Sequence, residues 1–306
     1  MYLGIDTSNY TTSAATFGGQ CPRNVSRLLD VEQGQLGLRQ SDALFLHTKR
    51  LPQIVEQLFI ENNGRSIRAV AASTRPRAVE GSYMPCFLAG ESLGRAVASM
   101  LHVPFHAFSH QQGHIAAALW SAGRLDLMEK PHLAWHLSGG TTELLLVVPE
   151  DKNVRATCIG GTEDVSAGQI MDRTGKLLEL SFPSGKKLDE LSQNSECKEK
   201  FSVKMRGLSF SLSGLENKIR EFYMKDHSRE DVAAYAVSSV ADIILRVTKE
   251  ALREYPGLEV VFSGGVASNS TLRNVCTELS PIFAEPQFST DNALGIAILC
   301  SMQEVN

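Results

Sequence analysis

Short apolar runs alternate with amphipathic segments along the whole chain. Residues 2–5, 70–72, 133–137, 144–148 and 260–262 are apolar stretches of strand length, whereas 41–59, 86–100, 109–122, 166–180, 232–255 and 267–279 carry apolar positions at helical spacing. Strands alternating with helices specify an α/β fold. A polar, glycine-containing break at 121–130 interrupts the pattern, and 306 residues with 43% hydrophobic content suffice for two cores. The expected domains are 1–122 joined by a C-terminal helix at 290–306, and 123–289. The charged stretch 194–204 reads as a solvated loop.

Two segments look like distant copies of one another. The strand YLGID leads into TSNYTTSAA, and the strand LAWHL leads into SGGTTELLLV, so each reads as strand, tight polar turn and second strand. In the second copy Gly139 and Gly140 are expected to supply the positive φ of a tight hairpin turn and to leave backbone N–H groups open to a phosphate. The plain alternative is a hairpin turn with no ligand. A third glycine element, VVFSGGVASNS, passes from a strand through Gly264 and Gly265 into a helix. A helix entered this way offers N–H groups to an anion or a purine. Its plain alternative is an ordinary strand-to-helix connection, and it matches neither a dinucleotide fingerprint nor a Walker loop.

The sequence SHQQGH carries a second kind of chemistry. Ser109 and Gln112 have capping-box spacing, which predicts a helix beginning at His110. His110 and His114, four residues apart, then share a helix face and can chelate one ion; a chance pair on an exposed face is the plain alternative. Gln111 stands where a zinc peptidase of this pattern would need a glutamate base, which disfavours that chemistry. Asp291, between an extended segment and a terminal helix, is the candidate third ligand; a helix N-cap is its plain alternative.

Composition limits the partners. Acids exceed bases by 34 to 30, a formal charge of -4, so any RNA contact must be local. Lys186, Lys187, Lys204, Arg206, Lys218 and Arg220 are the basic residues proposed for it. No run approaches the roughly 20 apolar residues of a membrane span, and the first ten residues do not read as a signal peptide, so the expected location is cytoplasmic with no membrane partner. Six dispersed cysteines without a CxxC pair read as reduced, mostly buried thiols.

LGIDTS, SHQQGH, LSGGTTELLLV, DVSAGQIMDRTGKLL, FPSGKKLDEL, FSLSGLENKIR, VVFSGGVASNSTLR and STDNALGIA follow one another in this chain. Motif by motif and in this order, they resemble the tRNA N6-threonylcarbamoyladenosine transferases, formerly described as glycoproteases. The resemblance implies an actin and Hsp70-like fold of two RNase H-like domains enclosing an adenine nucleotide, ATP or threonylcarbamoyl-adenylate, with a divalent metal, iron or zinc. Carried over by position, His110, His114 and Asp291 hold the metal. His136, Leu137, Ser138, Gly139 and Gly140 line the phosphate and acyl end, joined by Gly264 and Gly265. Asp172, Gly185 and Asp189 hold the ribose side, and Asn269 meets the adenine. Asp6 and Thr141 are the catalytic positions. Plain alternatives are an i,i+4 pair of Asp172 with Lys176, a solvated acid at Asp189 and a helix-turn polar residue at Asn269. The implied reaction moves a threonylcarbamoyl group to the adenosine beside a tRNA anticodon, with tRNA and other proteins of that modification pathway as partners.

The chain also departs from the family pattern. Asn9, Tyr10 and Thr11 replace Cys-Asp-Glu, Thr141 replaces a histidine, and Arg75, Pro76, Arg77 and Ala78 replace Gly-Pro-Gly-Leu. These changes remove two carboxylates and an acid–base group. Besides a transferase, they leave open a diverged nucleotide-binding scaffold or regulatory paralog, and more remotely a glycoprotease-type peptidase.

Overall fold

The computed structural model describes residues 1–8, 10–18, 21–29, 38–60, 66–288 and 293–304. Two compact units emerge: Met1–Lys130 with Val148–Ala156 and Thr290–Asn306, and Pro131–Val147 with Thr157–Ser289. The polar break at 121–130 lies in the first unit. It contains a 3-10 turn, Leu125–Glu129, that buries Leu127 and Met128, and the division follows it.

The first unit begins with β1 (Tyr2–Asp6), β2 (Thr11–Phe17), β3 (Arg23–Leu28), α1 (Gln40–Phe59), β4 (Ala69–Arg75), α2 (Phe87–Leu101), β5 (Phe105–Ser109) and α3 (His110–Ser121). Its sheet runs β3-β2-β1-β4-β5. β1 pairs antiparallel with β2 and parallel with β4. Leu3, Ile5 and Ala14 bury against Leu51, Ile54 and Leu58 of α1 and against Val70 and Ala72.

The second unit comprises β6 (His132–Leu137), β7 (Thr142–Glu150), β8 (Asn153–Thr162), α4 (Ala167–Leu177), α5 (Gly185–Ser192), β9 (Met205–Arg206), β10 (Ser209–Phe210), α6 (Ser213–Tyr223), α7 (Arg229–Glu254), β11 (Val260–Ser263), α8 (Ser270–Cys276) and β12 (Ile282–Phe283). The far ends of β7 and β8 belong to the first unit. The sheet order is β12-β11-β6-β7-β8-β10-β9, with β6 antiparallel to β7 and parallel to β11. β6–β7 is thus the counterpart of β1–β2. With the two-residue strands β9 and β10 set aside, both sheets run third, second, first, fourth, fifth, so the sequence likeness of the two hairpins is a likeness of topology. α7 buries one long face, and Trp135 Nε1–H donates to Thr248 Oγ1 at 2.9 Å beneath it.

The chain then returns to the first unit with α9 (Leu294–Glu304), which packs on β1, β2, β4 and α3. Small residues make this approach possible. A Cβ on Gly295 would stand 1.8 Å from the Gly113 carbonyl oxygen, and one on Gly4 would stand 2.5 Å from the Ala297 nitrogen.

Two helix expectations are corrected. The segment 267–279 is broken into a 3-10 turn, Gly265–Ser268, then α8 and a second 3-10 turn, Thr277–Leu279, because Asn269 caps a new helix. α4 ends at Leu177 rather than 180, since Glu179 takes a positive φ of 56°. Among the described residues no helix is long and apolar enough to cross a membrane. The cysteines are free; Cys86, Cys276 and Cys300 are buried, while Cys21 and Cys158 are exposed. Burial pushes the Cys276 and Cys300 thiols up to about 12.

Candidate functional site

In the first unit β5 passes into α3 without a loop. The Ser109 hydroxyl accepts the Gln112 N–H at 3.2 Å, and the Gln112 side-chain oxygen accepts the Ser109 N–H at 2.9 Å. This reciprocal cap fixes the helix start. Gln112 also donates to the Val154 carbonyl at 2.8 Å, and the Gln111 N–H donates to Pro76 at 3.0 Å. His110 therefore occupies the first helical position and His114 the next turn. Their rings meet edge to face at 4.2 Å, and the two Nε2 atoms lie 2.8 Å apart.

Behind the pair sits Asp6, fully buried at the end of β1. Its Oδ2 lies 3.1 Å from His110 Nδ1 and accepts the Ser8 hydroxyl at 3.0 Å, while Oδ1 accepts the Ser73 hydroxyl. The register of Ile5 against Ala72 places Asp6 beside Ser73. Asp6, expected at a catalytic position, is thus enclosed behind His110.

The donor set suits a metal. Two imidazole nitrogens of one helix face lie 2.8 Å apart, and around a tetrahedral ion at about 2.1 Å such nitrogens would stand roughly 3.4 Å apart. Among the described residues no group of three His, Cys, Asp or Glu is arranged to hold an ion. Asp291, the expected third ligand, lies outside the described residues, as does Asn9.

In the second unit β6 and β11 run parallel with His136 opposite Ser263, so the glycine turns at their carboxyl ends are neighbours. Ligands of open α/β sheets gather at such strand ends. The Ser138 N–H donates to the Thr141 carbonyl at 2.8 Å, and the Thr141 N–H donates to the Ser138 hydroxyl at 3.1 Å. Gly139, Gly140 and Gly265 are exposed, with nothing within 4 Å of an added Cβ, and neither Gly139 nor Gly140 takes the positive φ expected of it, because the turn is closed by the Ser138–Thr141 hydrogen bonds. Gly264 differs: its φ is +95°, and a Cβ would stand 2.2 Å from the Leu137 carbonyl oxygen. The N-terminus of α4 backs the first turn. The Ser166 hydroxyl donates to the Gly139 carbonyl at 2.6 Å, and the Ala167 N–H donates to Thr142 Oγ1 at 2.8 Å. Leu137 is buried beneath the turn, whereas His136 is half-buried.

The acids expected on the ribose side have structural partners. Asp172 accepts the Ser184 N–H at 2.8 Å rather than pairing with Lys176, which places it next to the open Gly185. Asp189 accepts Asn269 Nδ2–H at 2.9 Å, the Ser270 hydroxyl at 2.8 Å and the Ser270 N–H at 2.9 Å. Asn269 in turn caps α8, its Oδ1 accepting the Leu272 N–H at 3.0 Å. Nearby in sequence, Asp164 is raised by burial, but hydrogen bonds from Ser211, Ser213 and the Leu212 and Val165 N–H groups outweigh this and hold it well below the usual carboxylate range. Ser8, Ser73 and Ser270 escaped the sequence reading. Ser166 left a legible trace, since SAGQ repeats the cap spacing of SHQQ.

Of the basic residues, Lys218 pairs with Glu221 at 2.7 Å, Arg220 with Glu216 at 3.0 Å and Lys186 more loosely with Glu190 at 3.9 Å. Lys204 and Arg206 are exposed.

The sequence profile of the tRNA N6-adenosine threonylcarbamoyltransferase family matches residues 35–298. The protein of that name from Thermosipho africanus is 30% identical over 97% of this chain and 92% of its own length. The one from Kosmotoga olearia is 35% identical over 75% of this chain and 70% of its own. Among solved structures, component A of the Acidaminococcus fermentans (R)-2-hydroxyglutaryl-CoA dehydratase superposes with a TM-score of 0.58 at 17% identity, covering 99% and 98% of the two chains. Full-length HypF in its phosphate- and nucleotide-bound form gives 0.59 at 15% identity over 97% of this chain and 45% of its own. These likenesses establish an actin-like fold.

Proposed function

This chain belongs to the tRNA N6-adenosine threonylcarbamoyltransferase family, a family of acyltransferases, and from that membership we propose that it transfers a threonylcarbamoyl group from its adenylate to the N6 amine of a tRNA adenosine. The carbonyl carbon gains a bond to N6 and loses its bond to the adenylate phosphate; AMP leaves, and the amine gives up a proton. The observation that carries the reading is the pair of open glycine turns at the carboxyl ends of β6 and β11. Within the 138–141 turn the Gly139 and Gly140 N–H groups would face the phosphate and the developing oxyanion. Gly264 keeps the second turn pressed against Leu137, so Gly265 borders the same space. Asp189 orients Asn269 for the adenine, and Asp172 with Gly185 borders the ribose.

His110 and His114, with Asp291 as the proposed third ligand, would hold iron or zinc; the ion supplies Lewis-acid polarisation of the acyl group when bound. The histidines fix its place through the α3 cap. The adenylate would come from another protein of the modification pathway.

A second reading follows from Tyr10, Thr11 and Thr141. The backbone N–H and carbonyl of Thr141 are taken up in its turn, and a threonine hydroxyl is a poor acid or base at neutral pH. A scaffold that binds the adenylate without transferring it fits these substitutions. A peptidase fits less well, because Gln111 cannot serve as a base. Incubating the protein with threonylcarbamoyl-adenylate and unmodified tRNA, then digesting the RNA for nucleoside mass spectrometry, decides between the first two. Modified adenosine supports the transferase; adenylate binding without modification supports the scaffold.

A further inference from the structure

We infer that Asp6 is a positioning residue that sets the tautomer of His110, so that Nε2 is the ring nitrogen presented to a metal. The inference rests on the metal reading of the histidine pair, and deepens it.

A carboxylate only accepts, whereas a neutral imidazole has one donor nitrogen and one acceptor nitrogen. Asp6 Oδ2 faces His110 Nδ1 at 3.1 Å. Were Nδ1 unprotonated, two acceptors would oppose each other in a fully buried setting, which burial penalises. Nδ1 therefore carries the proton and donates to Asp6. In the neutral ring the opposite nitrogen, Nε2, then holds the lone pair. It is this atom that faces His114 Nε2 at 2.8 Å, so His114 donates across the gap in the metal-free pair. A metal held by both Nε2 atoms would take the place of that proton, which would move to His114 Nδ1 or leave to solvent, whereas His110 needs no change of tautomer.

Asp6 is itself held. The Ser8 hydroxyl donates to Oδ2 at 3.0 Å and the Ser73 hydroxyl to Oδ1, and Ser8 and Ser73 are buried on the chain segments flanking it. Both oxygens are engaged and the side chain is closed off from solvent, which suits a group acting through His110 rather than on a substrate. Carboxylates that accept the second N–H of a metal-bound histidine act this way, and their loss typically weakens metal binding about 10–100-fold.

Asp6→Asn tests this with little change of shape. Its amide oxygen is a weaker acceptor than the carboxylate and its NH2 can turn toward Nδ1 instead, which shifts His110 toward the Nε2–H tautomer and occupies the lone pair. Long-range proton–nitrogen spectra of metal-free, histidine-labelled protein read the tautomer directly. Cobalt(II) titration, followed by visible absorbance, reads affinity. The expected result is Nδ1–H in the native chain, Nε2–H in the variant and cobalt affinity reduced about 10–100-fold. A native His110 protonated at Nε2 overturns the inference whether or not the variant folds. So does a folded variant with native cobalt affinity. If the native chain takes up no cobalt while the tautomers switch as expected, the metal reading fails and Asp6 still sets the tautomer.

Discussion

Asn269 donates its side-chain amide to Asp189 across 80 residues of sequence, at 2.9 Å, while its own carbonyl oxygen caps α8. The amide is thereby fixed in one of its two orientations. Asp189→Ala should free it and leave the Ser270 N–H without this acceptor, costing about 1–3 kcal/mol of stability. It should also weaken adenine-nucleotide binding. Urea unfolding and calorimetry with ADP read the two effects; native nucleotide affinity in the folded variant would remove Asn269 from the site.

The glycines divide into those the fold needs and those a ligand needs. Gly264→Ala meets the Leu137 carbonyl and a φ of +95°, so it should destabilise by at least about 1–3 kcal/mol. Gly139→Ala and Gly265→Ala meet nothing within 4 Å; their melting temperatures should stay near native while ADP affinity falls. Equal loss of stability in all three would contradict this division.

His114→Ala should abolish stoichiometric metal and leave the fold intact, because the ring is only half-buried and the α3 cap is made by Ser109 and Gln112. Asp291→Ala should do the same if it is the third ligand. Elemental analysis beside circular dichroism checks both, and undiminished metal in either variant removes that residue from the set.

Asp164 gives the stability curve an acid limb. Its folded pKa is depressed, so its contribution is fully present above the unfolded aspartate value near 3.9 and is lost as pH falls toward the lower folded value. Asp164→Asn should flatten that limb below about pH 4. Denaturant midpoints measured from pH 2 to 7 would show it.

Exposed Lys204 and Arg206 are better placed for RNA than Lys218 and Arg220, which already face glutamates. Reversing Lys204 or Arg206 to glutamate should weaken tRNA binding and reduce its salt slope by about one per lost phosphate contact. Filter binding across a salt series distinguishes this from a solvated surface, for which neither reversal changes the slope.

Local chemistry explains what was legible beforehand. The start of α3 at His110 depends on residues three apart, so SHQQ announced it. The glycine hairpins were legible for the same reason. The break at Asn269 was not, since it depends on Asp189, nor was the enclosure of Asp6, since Ser73 reaches it only through the parallel pairing of β1 with β4. Asp172 read naturally as a partner for Lys176, yet the backbone N–H of Ser184 was supplied by a turn the pattern did not reveal. Two-residue strands such as β9, β10 and β12 carry too little periodicity to be seen.

The contact of α9 with β1 and α3 bears on the order in which the protein is made. Gly4 and Gly113 receive a helix that the ribosome produces only after every residue of the second unit. During synthesis the second unit can close while the first still lacks one wall, including the surface behind the histidine helix. Completion of the first unit should therefore follow emergence of α9 from the ribosome, and ribosome-bound chains stalled before residue 290 should carry a protease-sensitive first unit beside a resistant second one.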